Sequence, residues 1–226
     1  MKERTLDRRL VLAGIGAAIL GVLGSLVYGD TPDFVDDPAA IADFYSEESG
    51  AVLAGNSLYL LSGIFLLWFV AGLRAGLERA DGAGSPLAAA AAAGGGAGAA
   101  LMIAAAAVAA VGGLRADEQG SIGPQSASVL WDISSILYGL AAPMAWAAAV
   151  LATAAVALRS SVLPSWLGWV SLVMGIALAI PPINFISIIV MNLWIIAVAV
   201  VLYMDSRGVD DAQPGVQPVR STAAVQ

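Results

Sequence analysis

Four times within its 226 residues the chain runs for about twenty residues or more through apolar side chains with almost no charge. A bilayer core about 30 Å thick needs roughly 20 such residues per helix. The runs occupy residues 10–28, 51–73, 87–114 and 129–158, and only Asp132 interrupts the last. A fifth apolar stretch, 163–204, is about twice the length of one span. Pro181-Pro182 divides it, because two adjacent prolines remove two backbone donors and break a helix. Unbroken, it would make a helix of about 60 Å, far beyond ordinary mismatch. The pattern therefore predicts an all-α fold: a polytopic transmembrane bundle of six helices over 10–204, the last two at 163–180 and 183–204. A partly re-entrant fifth segment is the alternative. With 59% hydrophobic and 12% charged residues, the composition argues strongly against an ordinary water-soluble domain.

The cations set the expected orientation. Lys2, Arg4, Arg8, Arg9, Arg74, Arg79, Arg159, Arg207 and Arg220 fall on the N-terminal side of the predicted slab, and Arg115 alone falls on the other. The positive-inside rule then puts both termini in the cytoplasm, in a bacterial plasma membrane. Nine acidic residues share the outer side with Arg115: Asp30, Asp33, Asp36, Asp37, Asp43, Glu47, Glu48, Asp117 and Glu118. The net charge of -7 is thus an acidic outer face set against a slightly basic inner one. Residues 1–9 form a basic cytoplasmic N-terminus. The run at 10–28 is too long for a signal-peptide core and is read as a retained helix.

Between the first two runs, residues 29–50 form an acidic extracytoplasmic loop. Asp37-Pro38 is an N-cap followed by proline at the first helical position. Ile41, Phe44 and Tyr45 then share one face, which predicts a short amphipathic helix ended by Gly50. The loop's aspartates lack the ligand alternation of a calcium-binding loop and are read as solvated. The third run is almost all Ala and Gly, with Gly94-Gly95-Gly96 as a flexible point, so it is expected in the middle of the bundle. A second small-residue stripe, Gly14, Ala18, Gly21 and Ser25, suits packing within the chain better than a homo-oligomer contact, though either Ala/Gly-rich helix could serve one. Residues 205–226 carry no apolar periodicity and read as a disordered cytoplasmic tail.

Polar groups inside hydrocarbon are costly and tend to face the bundle interior. Asn56, Asp132, Asn184 and Asn192 all fall in the outer half of the predicted slab. Asp132, Ser135, Gly139, Pro143 and Trp146 share one helical face, as do Asn56, Tyr59 and Gly63. The expectation is an outward-open polar pocket built from Asn56, Tyr59, Asp132, Ser135, Asn184 and Asn192. The competing reading has Asp132 ionised near the headgroups, held by its helix dipole, with the Asn side chains as packing glue. Trp131, Trp166, Trp169, Tyr28 and Tyr203 read as interfacial belt residues, and Trp146 and Trp194 as core.

The chain contains no Cys and no His. Thiol and imidazole catalysis and Cys or His metal sites are therefore excluded. The single lysine, Lys2, lies outside the spans and cannot carry a buried Schiff base. No phosphate-binding or dinucleotide motif follows a strand, and one intramembrane carboxylate makes no acid–base pair. The expectation is a protein that is not an enzyme and that needs no cofactor or metal.

The inner turn Leu163-Pro164-Ser165-Trp166-Leu167-Gly168-Trp169, the loop phrase Ile41-Ala42-Asp43-Phe44-Tyr45 after Pro32-Asp33-Phe34, and Trp68-Phe69-Val70-Ala71-Gly72-Leu73-Arg74 resemble an uncharacterised family of six-helix actinobacterial membrane proteins, a domain of unknown function. The likeness covers residues 5–205 and implies topology, with no activity to carry over. The expected partners are the lipid bilayer and a lipid or small-molecule ligand, with no nucleic acid. Two functions follow: a ligand- or lipid-binding or accessory envelope protein, or a small-solute or proton/cation-coupled transporter using Asp132.

Overall fold

The computed structural model describes the backbone of residues 2–33, 36–160 and 163–211, and the side chains of 9–33, 36–160, 163–181 and 190–204. Among the described residues the fold is all-helical, without strands. The helices are α1 (Lys2–Tyr28), α2 (Pro38–Glu47), α3 (Ser49–Asp81), α4 (Pro86–Gln119), α5 (Pro124–Ile136), a π segment (Leu137–Ala141) that joins α5 to α6 (Ala142–Arg159), α7 (Ser165–Ala179) and α8 (Pro181–Asp211). Four of these rods are long and apolar enough to cross a membrane: α1 from Arg9, α3, α4 and the α5–α6 rod. Shorter apolar helices cover Ser165–Ala179 and Val190–Met204.

The helices extend past the apolar runs, since hydrogen-bonded propagation is indifferent to where hydrocarbon would end. Their ends follow caps instead. Gly82 and Gly84, at φ +103° and +76°, make the turn after α3, and Ser85 caps α4 by accepting from the Ala88 amide at 3.2 Å. Gly120, left-handed at φ +73°, closes α4. Asp37 caps α2 through Oδ1, which accepts from the Ala39 amide at 2.8 Å. Helix α8 starts at Pro181, the proline pair occupying the first positions of a new helix, where a missing donor costs nothing. It continues to Asp211, so residues 205–211 are helical where a structureless tail was expected; residues 212–226 lie outside the described residues.

Each rod packs on its sequence neighbours, α1 on α3, α3 on α4, α4 on α6, α6 on α7 and α7 on α8, and α8 closes onto α1. In such a ring no helix is central. The Ala/Gly-rich α4 is less buried than the α5–α6 rod, contrary to the middle position expected of it, and Gly94–Gly96 stay helical. Its small residues serve contact on one side only. A methyl on Gly94 would lie 2.8 Å from the Ala145 carbonyl oxygen, and one on Gly98 would meet the Trp146 indole. The opposite side, with Ala90, Ala93, Ala97 and Ala100, is exposed. The α1 stripe is likewise used within the chain: Gly14 lies against Phe69 and Ile195, and Gly21 against Ser62 and Asn192.

Two buried clusters result. The larger contains Leu66, Phe69, Leu73, Trp146, Trp194 and Ile195. The smaller sits under α2 and contains Tyr28, Ile41, Tyr45, Val52, Ile122 and Trp131. Trp146 and Trp194 are core, and Trp166 and Trp169 are exposed. Tyr28 and Trp131, expected in an interfacial belt, are instead buried, because α2 lies over them and supplies Phe44 and Tyr45 as ring neighbours.

Candidate functional site

The α5–α6 rod decides which polar residues meet. Pro143 has no N–H, and its ring would press on the carbonyl four residues earlier. The chain relieves this by widening: the Ala142 amide donates to the Leu137 carbonyl, five residues back. That extra residue turns α6 by about 100° relative to α5. Pro143 and Trp146 are buried, whereas Asp132, Ser135 and Gly139 are half-exposed, so the face that a uniform helix would share is split. The inward line of α5 is Ala127, Trp131 and Ser134, all buried. Tyr138 continues it in the π segment.

Tyr138 reaches a narrow crevice with Ser25 and Gly21 of α1, Tyr59 and Ser62 of α3, and Asn192 of α8. The space available to the centres of water molecules is about 50 Å³. That is room for about four waters. Tyr59 donates to Ser25 Oγ at 2.8 Å, since Ser25 itself donates to the Gly21 carbonyl at 3.2 Å. Ser62 donates to the Ala17 carbonyl at 2.8 Å. The Tyr59 and Tyr138 rings lie 5.8 Å apart. The lining is neutral hydroxyls and one amide, with Met102 and Met191 on the apolar side. Such a lining can orient water or a small neutral donor–acceptor, and it offers no group for proton abstraction.

Of the six residues expected to share a pocket, Tyr59 and Asn192 line this crevice. Asn56 belongs to the cluster under α2, where its Nδ2 donates to the Tyr28 hydroxyl and to the Val52 carbonyl, both at 2.8 Å. Asp132 and Ser135 line neither this crevice nor the groove described next, and Asp132 has no hydrogen bond or ion pair among the described residues. Because α5 starts at Pro124, Asp132 stands about 12 Å along its helix, beyond the first turn where the helix dipole acts. The side chain of Asn184 lies outside the described residues. Ser62 and Tyr138 went unnoticed in sequence, and Ser25 was read only as part of a small-residue packing stripe; a Ser or Tyr in an apolar run is an ordinary packing residue, and only the π segment aims Tyr138 inward.

Two further features occupy the same end of the bundle. Under α2, Tyr45 Oη and Trp131 Nε1 are buried without hydrogen-bond partners. Burial pushes the Tyr45 phenol above its ordinary range, and the nearby Tyr28 phenol adds to the shift. On the outer flank, α4 and α5 leave an open groove of about 420 Å³ lined by Val111, Arg115, Gln125, Ser126, Val129 and Leu130. No group of three or more Asp, Glu, His or Cys that could hold a metal occurs among the described residues. No family model matches the chain, and neither curated proteins nor solved structures provide a match.

Proposed function

We propose that this chain is a six-span protein of a bacterial plasma membrane, with both termini in the cytoplasm, that binds lipid through its outer half and works as a non-enzymatic lipid-binding or accessory envelope protein. The observation that carries the lipid reading is the open α4–α5 groove, lined by Arg115, Gln125 and Ser126 near the helix ends and by Val111, Val129 and Leu130 beyond them. Orientation rests on the charge partition: with α7 and α8 taken as full spans, Arg115 is the lone cation on its side against nine on the other. The resemblance to six-helix actinobacterial membrane proteins belongs to the same reading. Reporter fusions test the topology: an enzyme active only outside the cytoplasm should report after Asp36 and after Gly120, and a cytoplasmic reporter after Gly82 and after residue 211. The opposite pattern overturns the orientation.

The transporter reading draws on Asp132, a carboxylate well inside an apolar rod without a partner among the described residues. It is the weaker of the two, since the interior crevice does not include Asp132. Proteoliposomes separate them: proton- or cation-coupled uptake abolished by Asp132→Asn would favour transport over lipid binding.

A further inference from the structure

The α4–α5 groove is graded along its length. Its two walls are i, i+4 ridges, Val111 with Arg115 on α4, and Gln125 with Val129 and Ser126 with Leu130 on α5. Arg115, Gln125 and Ser126 stand at the helix ends, and Val111, Val129 and Leu130 one turn deeper. A polar end at the rim continuous with an apolar trough beneath it is the layout of one phospholipid molecule at a bilayer surface.

The charges at the rim narrow the headgroup. Arg115 is exposed and makes no ion pair or hydrogen bond among the described residues, although Glu118, three residues on, shares its side of α4 and is exposed too, while Asp117 projects from the opposite side. Beside it, α5 begins at Gly123 without a side-chain cap, and its first amides carry the positive end of the helix. An anionic headgroup would satisfy Arg115 but would also meet an acidic rim. A phosphate joined to an ammonium satisfies both, the phosphate on Arg115 and the ammonium toward Glu118.

We propose that the groove between α4 and α5 is a specific site for a zwitterionic aminophospholipid, its phosphate on the Arg115 guanidinium, its ammonium toward Glu118, and an acyl chain along Val111 and Val129. The site deepens the lipid-binding reading above and rests on the membrane placement of the bundle. Gln125 and Ser126 add donors to the phosphate.

The test is lipid retention by the full chain, purified in detergent and examined by native mass spectrometry with dioleoyl phosphatidylethanolamine and dioleoyl phosphatidylglycerol in equal amounts. Wild type should retain the ethanolamine lipid several-fold over the glycerol lipid. Arg115→Gln should lower ethanolamine-lipid retention about tenfold. Glu118→Gln should erase the preference while leaving total retention high. Val129→Trp fills the trough without touching a charge and should also expel the lipid, whereas soluble phosphoethanolamine should not compete. Preference for the glycerol lipid, retention indifferent to Arg115, or competition by the soluble headgroup overturns the proposal. An alkaline carbonate wash separates the two levels of failure. Protein that stays in the washed membrane yet shows no Arg115-dependent retention sinks the groove alone, and protein released by the wash sinks the membrane reading with it.

Discussion

Around Trp146 a single ring sits where two long helices touch, whereas around Tyr45 a separate short helix brings several rings together. At the first place α4 meets α6 at Gly94, with backbone atoms in near contact, and the Trp146 ring lies on Gly98. At the second, a separate ten-residue helix inserts Phe44 and Tyr45 among Tyr28 and Trp131. The difference follows from solvent. Inside hydrocarbon there is no hydrophobic drive between helices, so close dispersion contact through small residues must hold them. At the rim, where water competes, burying an aromatic ring is itself favourable. Both closures leave buried ring polar atoms without partners among the described residues, Trp146 Nε1 at the first and Tyr45 Oη and Trp131 Nε1 at the second, while Trp194 Nε1 elsewhere in the larger cluster donates to Ser171 Oγ at 2.8 Å.

The sharpest way to break this contrast is to truncate a ring at each place. Trp146→Ala removes the plug between touching helices and should cost about 3–5 kcal/mol, read as loss of thermal stability in detergent. Tyr45→Ala should cost less, since α2 is an added cap and not a member of the ring, so it can settle or lift without parting two spans. Equal losses, or the reverse order, would mean that the cap holds the bundle together.

Much of the ring-capped end could be read from sequence. Asp37-Pro38 and the spacing of Ile41, Phe44 and Tyr45 give α2 and its buried side, and Pro181-Pro182 gives the start of α8. The partner set of the polar residues could not be read, for a specific reason. Helical periodicity assumes 3.6 residues per turn throughout, and the Leu137–Ala141 widening adds one residue, turning Pro143 and Trp146 away from Asp132 and Ser135. Pro143 was the available signal. The start of α5 was placed too late: hydropathy marks where hydrocarbon-compatible residues begin, whereas α5 begins five residues earlier at Pro124.

Asn56→Leu is the next test, aimed at the seam between the cap and the spans. Its amide is buried and is the partner of the Tyr28 hydroxyl, so the change leaves that hydroxyl stranded at a cost of about 1–3 kcal/mol. Adding Tyr28→Phe should recover part of the loss. A strictly additive double mutant would show that the two groups do not interact.

A smaller effect of opposite sign is expected at Tyr45. Its hydroxyl is buried without a partner, so Tyr45→Phe should leave stability unchanged or raise it by up to about 1 kcal/mol near neutral pH. Because burial raises the folded-state phenol above its unfolded value near 10, the tyrosine's contribution is intact below that pH and declines above it. Unfolding followed from pH 9 to 12 should therefore show a shallower alkaline loss for the Phe variant than for wild type. Parallel curves would refute a buried, neutral phenol.

The smallest change should come from Arg159→Gln, and it asks whether the end near the α3–α4 turn depends on charge at all. Arg159 Nη2 lies 3.7 Å from Asp81 Oδ1, and the arginine side chain is 62% exposed. Asp81 already accepts a shorter bond from Ser85 Oγ, at 2.6 Å, so it is not stranded when the guanidinium goes. An exposed pair of this kind is worth at most about 0.5 kcal/mol and is screened by salt. The variant should melt within a degree or two of wild type in 50 mM salt and be indistinguishable from it in 0.5 M. A loss comparable to that of Asn56→Leu would shift the burden at this end from helix contact to electrostatics, and would undo the explanation of the contrast by solvent.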